Sequence, residues 1–466
     1  MLKIGVGPSS SHTMGPWKAA EKFVRDLEKA SLINETDEII ISLYGSLALT
    51  GKGHGTDLAL CMGLSGKNPE SCDTSTLQSD FDAMNTNHQI CLGGKYFMRF
   101  NPKQNILFYM DQELPLHSNG MRFSALKNKH ILMEQVLYSI GGGFIVAEGE
   151  EDQEVDSKVP FPIYNADSFS QYYRQEGWSI SQIARQNEGV TYKMVELEEK
   201  VIRIWKVMLQ CMYSGCHTEG RLPGGLNVKR RASKLMEKLV DGKFSASNPQ
   251  EWISGIQQLN CDFQKTLKWI SCFAIATNEE NANFGRVITA PTNGAAGVIP
   301  SVLMYLICFC EKNTNNTKIV DFLLTASEIG SLFKKGATIS AAMGGCQAEI
   351  GVSSAMAAAA LTEALGGSVD RVLMAAEIAM EHHLGITCDP IKGLVQIPCI
   401  ERNSIGAMKA ITASHIALES DPSEAKVSLD QVIQTMWETA CDMNTKYKET
   451  SLGGLATNIS VSLSEC

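Results

Sequence analysis

The chain has 466 residues, a net charge of −10 at pH 7, 44% hydrophobic residues and 20% charged residues. This length predicts two or three domains, and the composition is typical of a globular protein without biased tracts. The acidic balance argues against non-specific nucleic-acid binding, which needs a basic face. No apolar run is long enough to span a membrane and no signal-peptide layout is present, so we expect a cytoplasmic protein.

The first third of the chain alternates two kinds of pattern, short β-branched runs and runs of helical periodicity. The predicted strands lie at 37–46, 104–110 and 131–148, the last broken by three glycines, and the predicted helices lie at 15–30 and 55–64. Together these elements predict an α+β domain over residues 1–150. The acidic, proline-bearing stretch 151–170 is typical of a linker.

From residue 171 to 466 the pattern is nearly all helical, with apolar residues at three- and four-residue steps. The predicted helices lie at 193–215, 255–275, 317–335, 352–366, 369–383, 404–419 and 425–443. Small residues fill 337–366, which indicates helices packed closely in the middle of a bundle. The fold class we predict is an α+β N-terminal domain followed by an all-α catalytic domain.

Polar residues between glycines mark the first candidate site, GVGPSSSHTMGP. Ser10, Ser11, His12 and Thr13 stand at the entrance of a helix, where hydroxyls and free backbone N–H groups suit a carboxylate or phosphate. The alternative is an ordinary capped helix start.

Two further histidines stand in turn-rich segments. His54, in GSLALTGKGHGTD, has glycines on both sides, which leave the imidazole uncovered and suited to proton transfer. His117, in LPLHSNGMRF, precedes Asn119-Gly120, a strong hairpin signal. A solvated loop histidine and a surface histidine on a hairpin turn are the respective alternatives.

The loop TAPTNGAAGVIP places Asn293 before an apolar helix, again an anion-friendly arrangement or simply a loop and cap. Apolar flanks indicate that this loop lies inside the fold, where polar residues need partners.

The chain has 14 cysteines but no Cys-x-x-Cys pair, so a zinc ribbon is not indicated. Cys211 and Cys216 lie on a helical pattern and are expected to be structural. Cys346, Cys388 and Cys399 instead stand beside Gly, Asp or Pro at helix breaks. Loop cysteines can converge on an iron–sulfur cluster or zinc, and the alternative is three unrelated buried thiols.

Read together, GPSSSHTMGP, GSLALTGKGHGTD, HSNGMRF, TAPTNGAAGVIP, AAMGGCQAEIGVSSAMAA, CDPIKGLVQIPCIERN and a terminal cysteine closely resemble the single-chain iron–sulfur L-serine dehydratases. The resemblance runs in order from residue 3 to 466. It implies a [4Fe–4S] cluster held by Cys346, Cys388 and Cys399, with Cys466 reaching the fourth iron at rest. It also implies L-serine as substrate, pyruvate and ammonia as products, oxygen sensitivity and a homodimer. Two departures are the few residues ahead of Lys3 and a longer tail between Asn458 and Cys466.

Serine elimination needs a Lewis acid for the hydroxyl and a base for the α-proton. We expect His54 to be the base and His12 and His117 to orient substrate or handle protons. The residues expected to hold the substrate carboxylate are Ser10, Ser11, Thr13 and Asn293. Three other readings stay open: a pyridoxal-phosphate dehydratase, a cluster-dependent threonine dehydratase or cysteine desulfidase, and an amino-acid-binding redox sensor.

Overall fold

The N-terminal region of the computed structural model, which describes residues 1–150 and 159–459, combines strands with short helices. The strands are β1 (Lys3–Val6), β2 (Glu38–Tyr44), β3 (Gln89–Leu92), β4 (Tyr96–Arg99), β5 (Ile106–Tyr109), β6 (Gly120–Lys127), β7 (His130–Ser139) and β8 (Ile145–Ala147). The helices are α1 (Gly15–Lys29), α2 (Gly45–Thr50), α3 (Thr56–Leu64), α4 (Leu77–Asn87) and α5 (Pro102–Asn105). The strands and helices predicted for this region are confirmed.

Five strands form the main sheet in the order β5-β2-β6-β7-β8. The β2–β5 pair is parallel and the other pairs are antiparallel. Strand β2 has buried Ile39, Ile41 and Leu43 at every second position. This face of the strand contributes, with α1 and α3, to the hydrophobic core of the N-terminal region.

The prediction of a hairpin turn at Asn119-Gly120 is wrong. Gly120 is the first residue of β6, and Asn119 is buried, with its amide nitrogen donating to the Ser139 carbonyl at 3.2 Å. Strand β6 pairs with β2 and β7, which excludes a tight hairpin back to β5. The segment 110–119 is therefore an irregular loop that leads into the sheet.

Helices dominate the second region. They are α6 (Ala166–Glu176), α7 (Ile180–Glu188), α8 (Met194–His217), α9 (Ala232–Val240), α10 (Pro249–Gln258), α11 (Phe263–Ala282), α12 (Val298–Tyr305), α13 (Asn316–Gly336), α14 (Ala341–Gly344), α15 (Ile350–Ala364), α16 (Val369–Glu381), α17 (Cys399–Glu419), α18 (Leu429–Asp442) and α19 (Leu455–Asn458). A short strand, β9 (Arg286–Thr289), stands among them.

Two helix boundaries differ from the sequence prediction. The single helix expected at 255–275 is two helices, because Asp262 caps the N-terminus of α11 by accepting the backbone N–H of Lys265 at 2.7 Å. Helix α6 begins inside the stretch expected to be linker. Its first N–H groups, from Ala166 and Asp167, donate to the carboxylate of Asp430, which fixes that end on α18.

Helix α15 forms the centre of the bundle, as its small residues predicted. It is buried on all sides between α13, α16 and α17, because alanines let the neighbouring backbones approach. The loop leading into α15 and the start of α17 carry two of the candidate cysteines.

Strand β1 connects the two regions by pairing antiparallel with β9. Asn281 strengthens the connection by donating to the Pro8 carbonyl at 2.8 Å, and Asn293 donates to the Val6 carbonyl at 2.8 Å. The polar SSSHT segment, which follows β1 after Gly7 and Pro8, is thereby held against the helical region. Among residues 1–150 and 159–459, no helix is long and apolar enough to cross a membrane.

Candidate active site

The Gly344-Gly345 pair places Cys346 at a sharp turn between α14 and α15. Gly345 has a φ of +69°, and a Cβ there would lie 2.8 Å from the Ile386 carbonyl oxygen. Only glycine fits both the left-handed backbone and this close approach. The turn sets the Cys346 backbone against the 386–388 loop.

Three donor groups meet at this turn. The ligand atoms of Cys346, Glu349 and Cys388 all lie within 4.8 Å of one another, and all three residues are buried. The Cys346 Sγ is 3.8 Å from Glu349 Oε2. Cys399, at the first turn of α17, is buried nearby but does not belong to this 4.8 Å group.

Arg402, one turn after Cys399, connects the cysteine loops. Its Nη1 donates to Cys346 Sγ at 3.2 Å and to the Thr387 carbonyl at 2.7 Å, and its Nη2 donates to Asp389 Oδ1 at 3.2 Å. A guanidinium has a fixed fork of donors, so it holds these partners in one geometry.

Several acidic groups lie buried around these thiols. Burial raises the pKa of Glu349 and, still further, that of Glu449, where Glu349 and Cys346 add repulsion. A hydrogen bond with Cys346, together with burial, raises the pKa of Cys388, and burial raises that of Cys399. Burial thus favours the neutral forms of these acids and thiols, and a Cys-Glu-Cys group of this kind is compatible with a metal centre.

The N-terminal region presents two buried histidines to the same place. His12 lies in a single π-helical turn, Ser10–Met14, and His54 lies between α2 and α3, with their ring centroids 4.5 Å apart. The two loops hold each other: Thr13 Oγ1 donates to the His54 carbonyl at 2.8 Å, and Thr56 Oγ1 donates to the His12 carbonyl at 2.6 Å.

Hydrogen-bond partners fix the tautomer of each ring. His54 Nδ1 lies 3.0 Å from the Thr50 carbonyl, which only accepts, so Nδ1 carries the hydrogen and Nε2 is free. His12 Nε2 lies 3.0 Å from Ser46 Oγ, whose own hydrogen is donated to the Glu449 carbonyl at 2.8 Å. Nε2 is therefore the donor in His12, and its Nδ1 is free to accept from Ser11 Oγ at 2.9 Å.

Burial keeps both rings neutral at pH 7. It lowers the pKa of His54 to about 4, and burial together with His54 lowers that of His12 well below its usual range. His54 Nε2 therefore has a lone pair without a hydrogen-bond donor, which is the state a general base needs, whereas His12 Nδ1 already accepts from Ser11.

Glu449 lies between the histidines and the cysteines, although no sequence motif pointed to it. Its Oε1 is 3.5 Å from His12 Nδ1 and 3.7 Å from His54 Nε2. Its backbone N–H donates to the Cys388 carbonyl at 2.9 Å.

The other predicted site residues lie around this centre. His117 is half-buried, close enough to act on the pKa of His12, and burial lowers its own pKa to about 4. Ser10 is buried in the π-helical turn. The Thr13 hydroxyl is engaged by Ser9 and His54, and the Asn293 amide by Thr289 and Val6, so both already act as supports of the loops.

The chain's final cysteine, Cys466, lies outside the described residues. The segment leading toward it is docked on the Cys388 loop. Ser451 Oγ donates to the Pro390 carbonyl at 2.7 Å, and the Leu455 N–H donates to Asp389 Oδ2 at 2.7 Å.

The sequence reasoning missed Arg402 and Asp389 as well as Glu449. For Arg402, its position one helical turn after Cys399 was a signal that could have indicated it.

Comparison with known proteins identifies the class. Residues 1–150 match the family model described as serine dehydratase beta chain, and residues 175–456 match the one described as serine dehydratase alpha chain. Both serine dehydratase modules are thus present, in this order, in one polypeptide.

Full-length relatives make the assignment more specific. L-serine dehydratase 2 of Escherichia coli strain K12 is 45% identical over 463 residues, which is 98% of each chain. The L-serine dehydratase of Haemophilus influenzae is 44% identical over 98% of each chain, and that of Helicobacter pylori is 41% identical over 98% of this chain and 97% of its own. The chain belongs to the single-chain L-serine dehydratase family.

Proposed function

We propose that the protein is an L-serine ammonia-lyase, which converts L-serine to pyruvate and ammonia. The observation that carries the proposal is the meeting of two neutral, buried histidines with a buried group of cysteines in a chain of this family. One half of the site can remove a proton, and the other can hold a metal centre.

The donor set fits a [4Fe–4S] cluster. Cys346 and Cys388 are already close, Cys399 stands on the neighbouring helix start, and the surplus of buried acidic groups would be relieved by iron. A cluster accepts thiolates more widely spaced than the ligands of a single ion, which suits the greater separation of Cys399. Cys466 is proposed as a fourth, displaceable ligand. When bound, such a cluster supplies Lewis-acid activation of the serine hydroxyl.

His54 is proposed as the base. Its Nε2 holds a lone pair that faces the pocket, and its Nδ1–H is anchored on the Thr50 carbonyl. Nε2 takes the proton from Cα, and the electron pair left behind expels the β-hydroxyl. The resulting aminoacrylate tautomerises to an imine and hydrolyses in water to pyruvate and ammonia.

The substrate carboxylate is proposed to bind at the SSSHT turn. Ser10 and Ser11 are buried beside His12, and Ser11 Oγ can rotate from His12 Nδ1 toward an anion. Thr13 and Asn293, whose side chains also hold the surrounding loops, complete the proposed set, and His12 and His117 are proposed to orient the substrate. The family further suggests a homodimer working in the cytoplasm.

Anaerobic loading with iron and sulfide tests the function. We expect equal amounts of pyruvate and ammonia from L-serine, much slower turnover of L-threonine and L-cysteine, and no turnover in a mock-loaded sample. A brown protein that loses absorption on reduction supports the cluster, whereas a yellow protein reactive with carbonyl reagents would indicate pyridoxal phosphate. No turnover of L-serine by the loaded protein would contradict the proposal and favour a redox sensor.

A further inference from the structure

The turn that carries Glu449 has a costly conformation. Glu449 has a φ of +58°, which a residue with a Cβ rarely adopts, and its side chain is almost fully buried. Each feature alone opposes folding, since a left-handed backbone strains a residue that has a Cβ and a buried carboxyl group needs partners. Something specific must hold this residue in place.

The backbone around Glu449 is fixed from both regions of the chain. The Cys388 N–H donates to the Tyr447 carbonyl at 2.8 Å, and the Glu449 N–H donates to the Cys388 carbonyl at 2.9 Å, as in a short piece of parallel sheet. On the other side, Ser46 Oγ donates to the Glu449 carbonyl at 2.8 Å. One residue therefore spans from the cysteine loop to the N-terminal region.

The carboxylate of Glu449 is directed at the histidines. Its Oε1 lies 3.5 Å from His12 Nδ1 and 3.7 Å from His54 Nε2, and its Oε2 lies 3.5 Å from Ser11 Oγ. In each histidine this is the ring nitrogen without a hydrogen, not the N–H nitrogen that donates to Ser46 or Thr50. The carboxylate thus stands where a proton accepted by either ring would appear.

We propose that Glu449 is a positioning residue for the α-proton transfer: its carboxyl group keeps the His54 and His12 rings in place and accepts a hydrogen bond from the N–H that His54 gains. The inference rests on the proposed lyase function. When His54 Nε2 takes the proton, Glu449 Oε1 lies 3.7 Å from the nitrogen that carries the new N–H and is placed to accept from it. No new bond forms at Glu449.

The left-handed backbone offers a direct test. Glycine adopts a φ of +58° freely, so Glu449→Gly removes the carboxylate without new strain and leaves a space that formate can enter. We expect kcat for L-serine, in the iron- and sulfide-loaded enzyme, to fall about 100-fold with a smaller change in KM, in the range of lost proton-transfer assistance. Added formate should restore at least a tenth of the lost rate, and the iron content and absorption spectrum should match wild type.

Ser451→Gly is the matched control. Ser451 has the same φ of +58° two residues later, and its hydroxyl faces Pro390 and not the histidines. Formate should not raise its rate. Glu449→Gln provides a second variant with the original bulk: we expect a similar loss in kcat, no rescue by formate, and a larger isotope effect with α-deuterated L-serine, because proton removal becomes more rate-limiting.

The outcomes separate cleanly. Wild-type kcat in Glu449→Gln, or a loss in Glu449→Gly that follows lost iron and does not respond to formate, would overturn the positioning role and indicate a structural one. Failure of the wild-type protein to release pyruvate would instead contradict the proposed function. If Glu449→Gly does not fold, the kcat and isotope effect of Glu449→Gln decide.

Discussion

Two groups of buried cysteines occupy the helical region, and they differ in what their sulfurs contact. Cys216 and Cys272, on α8 and α11, have their Sγ atoms 3.7 Å apart, and the Cys272 thiol also faces the Ala232 carbonyl at 3.6 Å. Cys346 instead receives an N–H from the Arg402 guanidinium. The Cys216 and Cys272 thiols thus contact each other and a backbone carbonyl, whereas Cys346 accepts a hydrogen bond from a charged donor.

The comparison teaches that burial does not distinguish a ligand from a core residue. Both groups are almost fully buried, and both have thiols whose pKa burial raises. The distinction comes from the guanidinium N–H that donates directly to the Cys346 sulfur and from loop backbones, which can turn sulfurs toward a common point. Cys216 and Cys272 lie inside regular helices and lack that freedom.

The strongest test exchanges a cysteine from each group. Cys346→Ala should lose pyruvate formation completely and should not retain iron after anaerobic loading, because the thiolate beside Arg402 is gone. Cys272→Ala should retain iron and activity and lose only stability, as expected for a small cavity in a core. Iron content by metal analysis and pyruvate release are measured on both. Equal iron retention by the two variants would contradict the assignment of Cys346 as a ligand and Cys272 as a core residue.

A second pair compares buried histidines. His54→Gln should lower kcat by about 10²- to 10⁴-fold with normal iron content, because the base is lost. His383 is the matched control. It is equally buried, has its Nδ1 2.7 Å from a backbone carbonyl, that of Ala379, and burial likewise lowers its pKa to about 4. His383→Gln should keep kcat within a few-fold of wild type, and a loss as large as that of His54→Gln would contradict the assignment.

A third variant tests the cation that separates the two cysteine groups. Arg402→Lys keeps the charge but loses the fork that reaches Cys346, Thr387 and Asp389 together. We expect a 10- to 100-fold weaker retention of iron, the usual cost of removing a partner of a metal ligand. Titration with a chelator measures this retention. A variant that holds iron as well as wild type would show that charge alone is sufficient.

The sequence predicted those parts of the site that depend on local chemistry. The glycine turn before Cys346, the glycines around His54 and the hydroxyl-rich turn at His12 all follow from residue type and neighbours. Glu449 and Arg402 could not be found in that way. Glu449 contacts Ser11 across 438 positions of sequence, and its left-handed backbone belongs to a residue type that does not favour it.

The same reasoning explains the misplaced elements. Asn119-Gly120 has the residues of a hairpin turn, but pairing of β6 with the distant β2 overrides this local preference. The single helix predicted at 255–275 is in fact the end of α10 and the start of α11. The side chain of Asp262 caps α11, so a new helix begins there although the apolar spacing continues. The first error therefore comes from a long-range contact, whereas the second comes from a local cap that the sequence itself contains.

The smallest effect we predict is on stability against pH, and it should be the same for both histidines of the second pair. His54 and His383 each have a folded pKa of about 4, against an unfolded value of 6.5. Between these values the unfolded chain binds more protons, so stability is lost as pH falls from 6.5 toward 4. Each histidine contributes a slope of up to about 1.4 kcal/mol per pH unit. Urea unfolding of wild type, His54→Gln and His383→Gln at pH 7 and pH 5 measures it. In each variant the stability should depend less on pH, by the contribution of the one histidine removed, because burial acts in the same way inside and outside the active site. A change in only one variant would show that a charged group in the site also shifts the pKa of its histidine.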